Sequence, residues 1–429
     1  MSEKVTSLRG MSDVLPEQAA QWRALERLWV GMMAQYGYGE IRLPLLEKVA
    51  LFKRAIGEVT DIVEKEMFTL QDRDGEGIAL RPEGTASCIR AGIEQGLLYH
   101  QTQKWWYQGP MFRYERPQKG RYRQFHQFGV ESFGFSDSDI ELEHFLLVQR
   151  LFRSLNILDA VTLEVNSLGS LAARQVYRAA LIDYWEKHAE SLDSDAKRRL
   201  YTNPLRILDS KVPEMQPLIA NAPQLQEYWD ADSATSFARL LEKCDALGIR
   251  YRINPRLVRG LDYYNGLVYE WTTTALGAQG TLCAGGRYDT LVEQLGGKPT
   301  PGVGFGMGIE RVLLLVEQLN PMHIDTRPAV YVVFEGPQTE TVALQLSETW
   351  RDKLPDLRLV VHMGGGSLKS QFKKADKSGA KWALILGERE IETQTVSIKW
   401  LRQSDKPQHS IAQTEALDWF SQYLQGNEE

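Results

Sequence analysis

The sequence predicts an α+β protein in which a strand-rich domain carries a helical insertion and is followed by a small alternating α/β domain. Three observations lead there. The chain holds 35 glycines, yet none falls between Ser170 and Leu247, a segment that reads as helices. The flanking stretches, up to Gly169 and from Gly248 to Gly308, are glycine-rich and strand-like. NPMHIDTRP (Asn320–Pro328) then joins two prolines to short polar residues, the mark of a linker, and beyond it short apolar runs alternate with helical patterns. The expected domains are residues 1–325, with the insertion over 170–247, and 326–429.

In chain order, LRPEGTA (Leu80–Ala86) opens a helix. Two readings stand: Thr85 is the helix N-cap, or Glu83 presents a carboxylate to an amine. KWWYQGPMFRYE (104–115) and QFHQFGVESFG (124–134) read as strands around the loop RPQKGRYR. Side chains alternate along a strand, so Met111, Arg113 and Glu115 share one face of the first. Phe125, Gln127, Gly129 and Glu131 share one face of the second. An antiparallel hairpin would gather Arg113, Gln127 and Glu131, polar groups that are costly to bury without partners. That favours a ligand surface over an ion pair sealing a sheet. The loop's Arg116, Lys119, Arg121 and Arg123, with no acid among them, suit polyphosphate or nucleic acid.

The insertion reads as helices over 171–192 and 224–247. In LVRGLDYYNGLVYEW (Leu257–Trp271), Arg259, Asp262, Tyr263 and Tyr264 crowd between apolar residues, which suits a small ligand bearing a carboxylate. AGGRYD (Ala284–Asp289) is expected to line the same place. In GVGFGMGIERV, glycines at 302, 304, 306 and 308 strip one face of a strand, and Arg311 follows in a helix's first turn. A bare strand face beside an arginine suits a flat ring with a phosphate or cation–π partner; tight strand–helix packing is the other reading. The spacing is not that of the dinucleotide fingerprint G-x-G-x-x-G. After the linker, strands are expected at 330–334, 358–362, 382–386 and 396–400, with helices at 340–354, after GGGS, and at 414–424.

Composition narrows the function classes. With 43% hydrophobic and 25% charged residues, the chain is an ordinary globular protein. No apolar run approaches the ~18–20 residues that span a bilayer, and MSEKVTSLRG lacks the apolar core of a secretory signal. Its net charge of −6 excludes a general polyanion binder, so nucleic-acid contacts must be local. Three unpaired cysteines fit a reducing cytosol. Seven scattered histidines with no H-x-x-x-H pair make a protein-held transition metal unexpected. The stretches together offer a carboxylate for an amine, arginines for phosphates, a bare shelf for a ring, and Tyr plus Glu for a polar side chain. Those are the parts for an amino acid and a nucleotide.

These residues resemble the histidyl-tRNA synthetases, class II aminoacyl-tRNA synthetases. FRYERPQKGRYRQFHQFGVE resembles motif 2, GVGFGMGIERV motif 3 and YGYGEIRLPLLE motif 1. LVRGLDYYNGLVYEW and AGGRYD resemble the two histidine-specific signatures. The HIGH and KMSKS sequences of class I are absent. The resemblance implies an antiparallel six-stranded sheet flanked by helices, a helical insertion and a C-terminal α/β anticodon-binding domain, in a cytoplasmic homodimer dimerising through motif 1, with no membrane contact. The implied reaction joins L-histidine to its tRNA through a histidyl-adenylate, with ATP and Mg²⁺ bound mainly through the phosphates.

The resemblance also implies roles. Arg113 would hold the α-phosphate and Arg121 the γ-phosphate, with Glu115 in the ATP site. Phe125 and Arg311 would sandwich adenine. Glu83, Thr85 and Gln127 would bind the α-amino group. Arg259 would sit at the carboxylate and α-phosphate, making Arg259, Arg113 and Gln127 the catalytic set. Glu131 and Tyr264 would hold the imidazole nitrogens, with Tyr263 beside them. Glu131, desolvated on its strand, should need the substrate N–H as its donor. Arg116, Gln118 and Lys119 would meet the acceptor end, including the extra 5′ guanylate of bacterial histidine tRNAs. Spacing, and not the resemblance, singles out Lys369, Lys373, Lys377 and Lys381, every fourth residue after GGGS, with Lys374 nearby: those on the helix suit one basic face for phosphates, Lys381 lying at or past the helix end, and a solvated helix is the other reading. A silent paralogue acting as the regulatory subunit of ATP phosphoribosyltransferase is the alternative. Arg113, Arg259, Arg311 and the last ~100 residues count against it. The net charge of −6 and the intact nucleotide shelf count against a plain RNA-binding protein.

Overall fold

Strand alternation explains how the site is built. The computed structural model describes residues 4–57, 60–210, 212–259, 261–403 and 405–424. Gly260, inside the Leu257–Trp271 stretch, lies outside the described residues. The chain divides into two compact units, Met1–Met322 and His323–Glu429.

The large sheet of the first unit has eight strands among the described residues: β1 (Gly39–Glu40), β2 (Gln103–Phe112), β3 (Gln124–Phe133), β4 (Thr162–Ser167), β5 (Tyr251–Ile253), β6 (Leu267–Thr272), β7 (Thr281–Arg287) and β8 (Gly302–Gly308). Their order is β1-β2-β3-β8-β7-β6-β4-β5. The inner six pair antiparallel, as expected. The sheet is wider than expected because β1 and β5 add parallel edges. Runs of two and three residues carry no period that a sequence reading can find.

The register aligns one row across the sheet: Tyr107, Gly129, Gly306, Ala284, Glu270 and Glu164. A second row runs through Trp105, Glu131, Gly304, Gly286, Val268 and Asn166. Both rows face the same side. The intervening residues, including Phe128, Val130, Phe305, Tyr269 and Val165, face the other side and are buried. There they pack on α1 (Pro16–Tyr36), α3 (Asp139–Ser154) and α6 (Ile309–Leu319). Trp29 of α1 stacks on Phe128 with ring centroids 4.5 Å apart. This apolar layer leaves the opposite face available for chemistry. α2 (Thr85–Glu94) packs on that opposite face.

The insertion is helical but more broken than its pattern suggests. α4 (Leu171–Lys187) stops short of 192, and α5 (Ala231–Ala246) begins late. Asp230 sets the late start: its carboxylate accepts the Ser233 N–H at 2.8 Å, an N-cap that the residues before it cannot supply.

The second unit has a five-stranded sheet: β9 (Val330–Phe334), β10 (Leu359–Val361), β11 (Trp382–Leu386), β12 (Thr395–Trp400) and β13 (His409–Ala412), in the order β10-β9-β11-β12-β13. Its helices include α7 (Thr339–Lys353), α8 (Leu368–Lys377) and α9 (Gln413–Leu424). Besides the short helix Glu388–Glu392, strand β13 is the element the pattern missed. It is short, polar and leads directly into α9. Lys381 lies past the end of α8, while Lys369, Lys373, Lys374 and Lys377 are exposed on it. Gln371, on the buried side of α8, donates to the Phe334 carbonyl and accepts its N–H, tying the helix to β9.

Candidate active site

A cavity of about 740 Å³ opens on the polar face of the large sheet. Glu83 and Thr85 reach it from the start of α2, and Arg113, Glu115 and Arg121 from the β2–β3 loop. Phe125 and Gln127 line it from β3, and Arg259, Tyr263 and Tyr264 from the segment before β6. Arg311 enters from the first turn of α6. Arg116, Gln118 and Lys119 do not line it; they are exposed on the loop. That loop closes through paired backbone bonds between Gln118 and Arg121, with Gly120 at φ 76°, a conformation that favours glycine.

The start of α2 corrects one expectation. Thr85 is not the N-cap. The buried Glu83 carboxylate accepts the N–H groups of Thr85 at 2.6 Å and Ala86 at 3.0 Å, so it closes the helix start itself. A carboxylate accepts about four hydrogen bonds, so Glu83 keeps capacity for an amine. Burial pushes its pKa upward, against those backbone donors.

Glu131 corrects another. It shares a face with Gln127, but it lies behind the cavity wall, fully buried. It does not wait for a substrate donor. Its carboxylate accepts the hydroxyls of Thr85 at 2.7 Å, Tyr107 at 3.1 Å and Tyr288. Burial outweighs these donors and pushes its pKa up to about 8. Alternation alone placed Glu131 on the correct face. It could not show that hydroxyls from three other elements converge there. Tyr107 was legible in part, standing two residues after Trp105 on the same strand face; Tyr288 was not.

The glycine strand serves both readings of its motif. A Cβ on Gly302 would stand 2.4 Å from the Tyr288 ring, and on Gly304 1.9 Å from Glu131 Oε2. These two clear space for protein side chains. Gly306 and Gly308 line the open cavity. We expect Gly304→Ala to be overpacked by about 1–3 kcal/mol or more, because the Val130 carbonyl and the pinned Glu131 both crowd the new methyl. Thermal unfolding of the variant should show a lowered midpoint; an unchanged midpoint would mean that β3 and β8 slide apart easily.

The cations are held differently from one another. Arg113 donates Nε–H to the Pro82 carbonyl at 3.0 Å and lies over Phe125, 5.2 Å from the ring centroid. Arg121 pairs with Glu115, and Arg259 with Glu270. Arg311 uses three donors, to the Gly120 and Thr281 carbonyls and the Gln279 side chain, at 2.9, 2.7 and 2.9 Å. Bonds in the guanidinium plane leave its flat faces for a ring. Burial lowers the pKa of Arg113 and Arg311, but an arginine remains charged at neutral pH.

AGGRYD does not line one place. Ala284 reaches the cavity. Tyr288 stands behind it on Glu131. Arg287 turns away to a bidentate pair with Glu141, at 2.7 and 2.8 Å, and to Asp289. Asp262, near Arg259 in sequence, likewise faces elsewhere and accepts from Asn203 at 2.8 Å. Among the described residues, no group of three or more His, Cys, Asp or Glu could hold a metal ion, and no helix is long and apolar enough to cross a membrane.

An antiparallel sheet carrying this cavity, with a separate C-terminal α/β unit, is the fold of a class II aminoacyl-tRNA synthetase. The family model described as histidyl-tRNA synthetase matches residues 10–312, and the one described as anticodon binding domain matches 330–423. The apo histidyl-tRNA synthetase of S. aureus is 32% identical with a TM-score of 0.80, over 97% of this chain and 100% of that one. The histidyl-tRNA synthetase from Nostoc sp. PCC 7120 shares the fold at 19% identity, with a TM-score of 0.69 over 98% and 100% of the two chains. So does a Bacillus halodurans protein described as an ATP phosphoribosyltransferase regulatory subunit/histidyl-tRNA synthetase, at 22% identity and TM-score 0.61, over 90% and 98%. The chain belongs to the histidyl-tRNA synthetase family.

Proposed function

We propose that the cavity binds L-histidine and ATP side by side and joins them as histidyl-adenylate. The chain is a histidine–tRNA ligase. The observation that carries the pocket assignment is the meeting of Glu83 and Gln127 with Arg113, Arg259 and Arg311 around one cavity. Glu83 and Gln127 take the α-ammonium, with Thr85 beside them. Arg259 steers the carboxylate to the α-phosphorus and, with Arg113, meets the charge that develops there. Phe125 and Arg311 hold the adenine. Arg121 leaves Glu115 for the γ-phosphate. The imidazole lies against Tyr263 and Tyr264 and reaches Glu131 in exchange for the Thr85 hydroxyl. Positioning and charge stabilisation do the catalytic work, since the carboxylate itself is the nucleophile and pyrophosphate the leaving group.

Mg²⁺ fits this donor set as a metal carried in by ATP. A lone carboxylate such as Glu115 plus phosphate oxygens suits a hard cation that keeps its own waters. When bound it supplies charge neutralisation on the phosphates. The histidyl group then passes from the adenylate to a hydroxyl of the terminal ribose of the tRNA, and AMP leaves. The C-terminal unit reads the anticodon, with the exposed lysines of α8 placed for phosphates. A cytoplasmic homodimer completes the reading, with exposed Leu45 and Leu46 of the YGYGEIRLPLLE segment as apolar surface for a second subunit.

The test is ligation of labelled histidine to a tRNA preparation by the purified chain with ATP and Mg²⁺. Ester formation supports the reading, whereas histidine binding without adenylate or ester would favour a silent regulatory paralogue. Within it, Gln118→Ala should reduce discrimination for the extra 5′ guanylate by about tenfold, one lost bidentate base contact. Pyrophosphate exchange should hardly change, since Gln118 lies outside the cavity. Unchanged discrimination would remove Gln118 from the acceptor-end contacts.

A further inference from the structure

We propose that Glu270 is a positioning residue for adenylate formation, bracing Arg259 and, through Thr281, Arg311. This rests on the functional reading above and assigns a role to groups which that reading leaves unused. Glu270 stands on β6 in the row that crosses the polar face, opposite Ala284 and Glu164. One of its oxygens accepts from Arg259 Nη1. The other accepts the Thr281 hydroxyl at 2.9 Å. The Thr281 carbonyl in turn accepts Arg311 Nη1 at 2.7 Å, and Arg311 Nε reaches the Gly120 carbonyl of the β2–β3 loop at 2.9 Å. Hydrogen bonds on either side of Thr281, to its hydroxyl and to its carbonyl, thus link Arg259, assigned to the substrate carboxylate, to Arg311, assigned to the adenine.

Two further features make this a brace and not a sealed ion pair. Arg259 Nε is buried with no hydrogen-bond partner among the described residues, so a donor of this guanidinium is left for a ligand. Beside it stands Tyr264, whose ring centroid is 5.8 Å from the head group and whose hydroxyl also favours the charged guanidinium, so among the described residues Glu270 is the one carboxylate that holds it. Thr281 sits where the β7–β6 register shifts, between Thr281 and Cys283. That irregularity lets its hydroxyl and its carbonyl serve different partners. Donors aimed in advance at developing charge accelerate a reaction because they need no reordering at the transition state. A loosened Arg259 would still attract substrate but would have to be ordered during the step. The loss therefore belongs to kcat and not to the histidine KM.

The experiment is histidine-dependent ATP–pyrophosphate exchange with the full-length chain, arranged as a double-mutant cycle. Glu270→Gln should lower kcat by about 10- to 100-fold, with the histidine KM within about twofold. In an Arg259→Ala background the same change should cost less than about twofold, because its target is gone. Thr281→Val should lower kcat by about three- to tenfold and Thr281→Ser should restore it. This pair decides the matter if Glu270→Gln fails to fold. Equal losses in both backgrounds, or no loss in the wild-type background, overturn the brace while leaving the functional reading intact. Absence of exchange in the unaltered chain overturns both.

Discussion

Glu131→Gln raises the histidine KM by about 10- to 150-fold and leaves the ATP KM within about twofold. The variant keeps the shape of the side chain but removes its charge. It thereby loses a charge-assisted bond to the imidazole N–H worth ~1.5–3 kcal/mol. The amide oxygen can still accept the Thr85 and Tyr107 hydroxyls that now meet Oε1, and the Tyr288 hydroxyl, now on Oε2, can turn to accept from the amide NH2, so the fold survives better than it would with alanine. The phosphate-facing arginines are untouched. If the ATP constant rises instead, Glu131 belongs to the nucleotide end.

The same residue has a pH signature. In the folded protein burial pushes its pKa up to about 8. A raised acid favours folding below its ordinary range, and that contribution is lost as pH climbs toward 8. At pH 7 Glu131 is therefore mostly protonated before histidine binds. The bound imidazole N–H and the nearby ammonium favour the carboxylate, so histidine binding releases a proton. Calorimetric titrations in two buffers of different ionisation enthalpy should detect the release in the wild type and lose it in Glu131→Gln. Equal release by both proteins would place the titrating group elsewhere.

Deleting residues 326–429 reduces tRNA charging by ~10²-fold or more, the loss expected when one of two linked binding modules is removed. Pyrophosphate exchange should fall only a few-fold. The buried cores explain why the fragment should fold. The clusters around Trp29 and Tyr177 draw only on residues up to Met322, and those around Trp350 and Ala375 only on later ones. Every group assigned to histidine or ATP precedes the linker. An equal loss in both assays from a fragment with an intact thermal transition would contradict this division.

How much was legible depended on whether a feature was local. Period-two alternation placed Gln127 and Glu131 on one face and the glycines 302–308 on a bare one, because a strand's geometry is written in its own residues. The glycine-free run marked the insertion for the same reason. What failed to show were contacts assembled from different segments: three hydroxyls on Glu131, Glu270 between Arg259 and Thr281, and Arg287 turning away to Glu141. Thr85 misled for a related reason. Its type suits an N-cap, but Glu83 lies two residues closer to the turn and Glu131 competes for the hydroxyl. The edge strands β1 and β5 were too short to carry a pattern.

The most direct test of the central claim is ATP–pyrophosphate exchange by the unaltered chain, without tRNA, against each of the twenty amino acids. A site that hydrogen-bonds both imidazole nitrogens rejects side chains lacking them by ~10⁴–10⁵-fold. Histidine alone should therefore support exchange well above background. Exchange at a comparable rate with any other amino acid, or none with histidine, would contradict the account.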